Sequence, residues 1–194
     1  MNTIEELIVI LGISFDVFAV MECHGSLIAK VDKKQLAIFC SLLMLGQAVS
    51  LGTGNFISQL LCKDKIDIHE AFLGQIVAAV VFLCLGIRLL LKAWRNERVI
   101  ERREDKLNLP EIAKFYVRTI LFTLLTGLAF GLLQSSAAAL LAMILTLTVA
   151  VTVLGVYTGY HLGFEHKIKA YLAGGILLLI GGMDVILRYI WKIV

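Results

Sequence analysis

Residues 13–25 read ISFDVFAVMECHG, and this stretch decides the fold, because it sets Asp16 inside an apolar run too long and too hydrophobic for a helix of a water-soluble core. A carboxylate near the middle of a membrane-spanning helix costs about 2.5 to 3.5 kcal/mol or more, so it is rare there and marks an ion or proton pathway by default. The blander reading is an acid that only helps helices pack. The rest of the chain is read outward from Asp16.

The 194 residues are 59 % hydrophobic, with a mean hydropathy of +0.89 and a single proline, which is the composition of a polytopic membrane protein made of one membrane domain. The net charge of +3 is small, and the basic residues sit mostly at the ends of apolar runs, where they act as topology signals. Nothing in that pattern argues for nucleic acid. Cys23, Cys40, Cys62 and Cys84 lie in or beside apolar segments without C-x-x-C spacing, so neither a disulfide framework nor a structural zinc site is implied. Glu5 and Glu6 precede the first apolar run where a signal peptide would carry basic residues, so that run is expected to be a span. The sequence shows no nucleophile with a partner base, no phosphate-binding glycine loop and no H-E-x-x-H motif, so an enzyme is not expected.

At about 20 apolar residues per span, six transmembrane helices are expected: Ile4 to Ala29, Leu36 to Leu61, Ala71 to Trp94, Tyr116 to Gln134, Ala137 to Phe164 and Ile168 to Trp191. Only Gln134, Ser135 and Ser136 join the fourth and fifth, which requires a very tight turn. One long kinked helix is the competing reading, and it would exceed the bilayer. With the N-terminus outside, Lys30, Lys33, Lys34, the basic residues from Lys92 to Arg118, Lys167 and Lys169 all face inward, against Lys63, Lys65, Arg188 and Lys192 outside. The positive-inside rule therefore puts both termini outside. It makes residues 95–115, and above all the charged Arg95 to Pro110, a cytosolic linker between a first unit, 1–94, and a second, 116–194.

The two units echo each other. Leu85-Gly86-Ile87-Arg88-Leu89-Leu90-Leu91-Lys92 reads like Gly181-Gly182-Met183-Asp184-Val185-Ile186-Leu187-Arg188, and Ser14 to Ala19 reads like Leu124 to Ala129. Three helices per unit is an odd number, so the second copy enters the membrane upside down, as two inverted three-helix repeats with a site near the midplane between them. Gly127 and Gly131, then Gly155, Gly159 and Gly163, are spaced by four, as on faces where helix backbones approach closely.

Four stretches together resemble the MntP-type manganese efflux pumps of bacterial membranes, small six-helix proteins of the LysE-like exporter group. Ser14-Phe15-Asp16-Val17-Phe18-Ala19 is similar to the family's S-x-D-A-F-A, and Cys84 to Leu90 to its L-G-x-R/K-M-L run. Leu125 to Gly131 follows S-L-D-A-M-A-V-G, and Gly174 to Gly181 follows the last-helix G-G-x-x-L-I-x-I-G. The chain departs from the pattern at Thr126, where the family has a second intramembrane Asp, and at Leu51, at the place of a proline; the polar second-helix position is kept as Gln47. The resemblance implies export of a divalent ion, Mn2+, across the bacterial cytoplasmic membrane, with no cofactor beyond the transported ion and with the lipid bilayer as the other partner.

Asp16 lies nine residues after Leu7, Gln47 eleven after Leu36 and Thr126 ten after Tyr116, so at about 1.5 Å per residue all three are expected near mid-bilayer. Thr148 and Thr152 fall at similar depth, one turn apart. Together these five are the candidate metal ligands, an oxygen set suited to a hard divalent ion, the alternative for Gln47 and the threonines being hydrogen-bonded helix packing. Glu22, Cys23 and His24, with His161, are candidates for an inner vestibule that delivers the metal, against the reading of an ordinary interfacial histidine. Arg88 and Asp184 are expected to snorkel to opposite faces. Proton exchange at Asp16 is the simplest coupling. The missing acid at Thr126 leaves a second reading, a relative that no longer transports and binds a partner protein instead.

Overall fold

The computed structural model describes residues 3–27, 33–61, 68–95, 109–133, 135–163 and 165–190, and all regular structure among them is helical. The elements are α1 (Thr3–Leu27), α2 (Lys33–Leu61), α3 (Ile68–Arg95), α4 (Leu109–Leu132), α5 (Ala137–Leu162) and α6 (Lys167–Val185), the last prolonged by a π-helical turn at Ile186–Ile190. Among the described residues four stretches are long and apolar enough to cross a membrane: Lys33–Leu60, Gly74–Arg95, Ala137–Leu162 and Lys167–Arg188, with a shorter apolar segment at Tyr116–Leu132. Residues 96–108 of the expected linker lie outside the described residues.

The largest departure from the expected boundaries is α4, which starts at Leu109 and not at Tyr116. Pro110 sits in its first turn, where the missing N–H would have no partner in any case and the fixed φ suits a helix start. Between α4 and α5 the chain turns, with Leu133 N–H donating to Ala129 O and Ser135 N–H to Phe130 O, each at 3.1 Å, so these are two helices and not one kinked one. Gly163 ends α5 at φ +73°, a conformation in which a side chain would be strained, and its N–H closes the helix on Gly159 O at 3.0 Å. It is a cap, and the packing role expected of it from its spacing falls away.

Each helix packs extensively against two others, and the six close into a ring in the order α1, α5, α2, α4, α3, α6 and back to α1. Every one of these interfaces joins a helix of the first three to one of the last three, so the halves are interleaved. Close backbone approach makes the tightest seams. A Cβ on Gly155 of α5 would lie 2.7 Å from Met21 Cβ of α1, and one on Gly127 of α4 would lie 2.6 Å from Leu51 O of α2. Small residues at these places let the helices come close enough to pack without long side chains between them. Between α3 and α4 the buried rings of Phe82 and Phe130 meet at 5.4 Å between centroids.

The pattern across α2 is the reverse of a soluble helix. Ile38, Leu45 and Val49 are 64 to 69 % exposed, while Gln47, Ser50, Asn55 and Ser58 are buried. Apolar side chains outside and polar ones inside is the arrangement that a hydrocarbon solvent selects, since polar groups must then find partners within the protein.

Candidate ion-binding site

Asp16 is buried, and it is not alone. Lys92 Nζ donates to Asp16 Oδ1 at 2.7 Å, which ties α1 to the last turn of α3. The same ammonium lies 4.4 Å from the ring centroid of Tyr171 on α6. One turn earlier on α3, the Arg88 guanidinium stacks 3.4 Å over the ring of Phe122 on α4. Asp16 and Arg88 share a small cavity with Ile13, Leu85, Leu89, Phe122 and Leu178, so its wall comes from α1, α3, α4 and α6. Snorkelling had been expected of Arg88, yet it turns inward onto an aromatic face, where the ring quadrupole compensates part of the lost hydration. Counted formally, the site holds one negative and two positive side chains.

The other sequence-derived candidates fall elsewhere in the ring. Gln47 Oε1 accepts from the Thr148 hydroxyl across the α2–α5 interface, both residues being buried. The Thr148 hydroxyl also reaches Ile144 O at 2.6 Å, and its single proton serves one acceptor at a time. Thr152, one turn on, is fully buried, and its hydroxyl has no hydrogen-bond partner among the described residues. Thr126 is fully buried too and donates to Phe122 O at 2.8 Å within α4. None of these hydrogen bonds reaches Asp16. The α2–α5 interface lies across the ring from the α3–α6 interface that borders the acid.

Glu22 is fully buried near the end of α1. Its Oε1 accepts the backbone N–H of His166 at 2.9 Å and lies 3.6 Å from that residue's Nδ1, while Oε2 is buried with no hydrogen-bond partner among the described residues. The acid thus meets His166, a residue that the sequence reading did not single out. His161, proposed with it, is exposed and packs edge-on to Tyr160, and His24 stands two residues along α1, on a different side of the helix. At the opposite end of α1, Arg188 bridges Glu5 at 2.8 Å and Asp184 at 3.6 Å, so Asp184 does have a partner on its own side. Among the described residues no group of three or more His, Cys, Asp or Glu stands close enough to hold a metal. A cation bound here would rest on one carboxylate and neutral oxygens.

Residues 30–186 match the Mntp family, described as "Putative manganese efflux pump". The protein of that description from Desulfitobacterium hafniense is 23 % identical over 190 residues, which cover 98 % of this chain and 97 % of the relative. Its counterpart in Acetivibrio thermocellus is 25 % identical over 190 residues, with 98 % and 93 % covered, and that of Mannheimia succiniciproducens 23 % over 184 residues, with 92 % of each covered. No solved structure matches the chain. The family match takes in all of α2 to α6 up to Ile186, and the chain belongs to the MntP family.

Proposed function

We propose that this protein exports a divalent metal ion, manganese by the name its relatives carry, across the bacterial cytoplasmic membrane, and that Asp16 is the acid the ion meets. The observation that carries this reading is a buried carboxylate on a cavity walled by helices of both halves. Gln47, Thr126, Thr148 and Thr152, buried elsewhere in the ring, carry oxygens of the hard kind that manganese accepts along a path through it. Of the expected inner vestibule Glu22 is kept, with His166 beside it in place of His24, and it stands six residues, about 9 Å of helix, from Asp16.

Six spans arranged as two inverted repeats are the architecture we infer. Exchanging α1, α2 and α3 for α4, α5 and α6 maps the ring order onto itself. Directions agree as well: α1 runs antiparallel to α6, with Glu5 by Arg188 and Glu22 by His166, and its counterpart α4 runs antiparallel to α3, with Leu132 by Gly74 and Phe122 by Arg88. Both termini are then outside, with the linker in the cytosol. A membrane potential of 100 mV, negative inside, opposes export of a doubly charged ion by about 4.6 kcal/mol, twice the single-charge figure. Export therefore needs coupling, and inward movement of protons is the simplest.

The test is total cell manganese in a manganese-sensitive, exporter-deficient host. Expression of the chain lowers it, and Asp16→Asn at equal membrane abundance does not. If Asp16→Asn lowers it equally, the acid is not the ligand. If the inserted wild type changes nothing, export gives way to the non-transporting relative.

A further inference from the structure

We propose that Lys92 is a tethered counter-cation, which holds the ion-binding acid while no ion is present and is displaced when a divalent ion arrives; this rests on the reading of Asp16 given above. A buried carboxylate left without a partner is strongly destabilising, so an acid that gives up its ion needs another positive charge in its place. Lys92 Nζ, 2.7 Å from Oδ1, supplies it. The ammonium does not stay when the ion binds. A divalent ion beside Asp16, with Lys92 still in contact and Arg88 in the same cavity, would set four positive charges around one negative charge in a poorly solvated space.

Of the two basic side chains, Lys92 is the one placed to move. Arg88 sits over the Phe122 ring at 3.4 Å from its centroid, whereas Lys92 has a flexible stem and starts one turn from the end of α3 at Arg95. The ring of Tyr171, 4.4 Å from the ammonium, offers a cation–π surface that it can keep after leaving the carboxylate. The surface end of the helix offers water. A selection rule follows. A singly charged ion replaces the ammonium with no gain in charge at Asp16, whereas a doubly charged ion gains one, so Lys92 sets a threshold that favours divalent over monovalent cations.

The experiment is Mn2+ binding to purified protein, by titration calorimetry and by the Mn2+ spin-resonance signal, for wild type, Lys92→Gln, Lys92→Arg, Asp16→Asn and the double variant Asp16→Asn/Lys92→Gln. Lys92→Gln is expected to bind Mn2+ about tenfold more tightly or better, a change of about 1.4 kcal/mol, and to let sodium or potassium compete. Lys92→Arg keeps the charge and gains nothing, and both Asp16→Asn forms lose the site. Should Lys92→Gln fold poorly for want of a partner to Asp16, added Mn2+ is expected to raise its Tm more than that of wild type. The double variant, with neither charge, checks the fold. Equal or weaker binding by Lys92→Gln, with no added Tm shift, overturns the tethered cation. If cell manganese still falls with the wild type, that failure leaves export standing. Tighter binding by Lys92→Gln beside an inactive wild type sinks export and keeps Lys92 as the competitor.

Discussion

Glu22 Oε1 accepts the backbone N–H of His166 at 2.9 Å, so a side chain near the end of α1 closes the start of α6. The first N–H groups of a helix lack partners within it, and the side chain of His166, the N-cap residue, makes no capping bond. An acid from another helix does that work, and it welds α1 to α6 about 9 Å of helix beyond the place where Asp16 meets Lys92.

Glu22→Ala is therefore expected to lower stability by about 1–3 kcal/mol, the cost of leaving a buried donor unmade. Glu22→Gln keeps an acceptor and costs less. Thermal unfolding in detergent ranks the two. Equal losses would place the role of Glu22 in its charge and not in the cap.

The glycine seams give a paired prediction. A Cβ on Gly159 would overlap the carbonyl of Glu22, whereas one on Gly52 meets nothing within 4 Å. Gly159→Ala has to push α5 away from α1 and is expected to cost at least about 1–3 kcal/mol. Gly52→Ala, in the exposed middle of α2, is neutral or stabilising by up to about 1 kcal/mol through helix propensity. Similar unfolding temperatures for the two variants would mean that the α1–α5 seam yields to a methyl group at little cost.

Hydropathy made the helices legible because a span needs a long apolar run, and α2, α3 and α5 begin and end within three residues of where the run does. At α4 it marked the apolar segment from Tyr116 but not the helix before it from Leu109, where charged residues around Pro110 hid a start that proline itself favours. Glycines at four-residue spacing announced the close seams but not which helix would meet them. Neighbours are what one-dimensional periodicity leaves out. Depth alone sends a long basic side chain such as Arg88 or Lys92 to the nearest surface, whereas inside the ring Lys92 reaches an acid of α1 that needs a partner. The available signal was that need: one acid in an apolar helix calls for a cation, and the third helix carries Arg88 and Lys92 one turn apart. His166 was missed because the turn at Gly163 carries the start of α6 back to α1.

The topology inferred from the basic residues has its own check. With the four native cysteines replaced, Arg103→Cys in the linker is expected to react with a membrane-impermeant maleimide only after the cells are opened, and Asn2→Cys in intact cells. Reaction of the linker cysteine in intact cells would reverse the orientation and put Glu22 and His166 at the outer end.

The last prediction concerns the acid that is missing. Thr126 is fully buried one turn after Phe122, the ring that Arg88 covers on the wall of the Asp16 cavity. An aspartate at that position would bring a second negative charge to a site that holds two cations and one acid. One carboxylate neutralises half of a divalent ion, and in a poorly solvated cavity the other half is expensive. Thr126→Asp is therefore expected to raise the manganese tolerance of an exporter-deficient host above that given by the wild type, and the gain is expected to vanish with Asp16→Asn. The competing fate of the new acid is a salt bridge to Arg88, which makes no such bridge among the described residues. That outcome would show as a higher unfolding temperature with no gain in tolerance, and adding Arg88→Gln would then release the acid to the ion. If neither the wild type nor Thr126→Asp moves any divalent ion while folded and inserted, the membrane bundle has outlived its transport function, and the search should turn to what binds it.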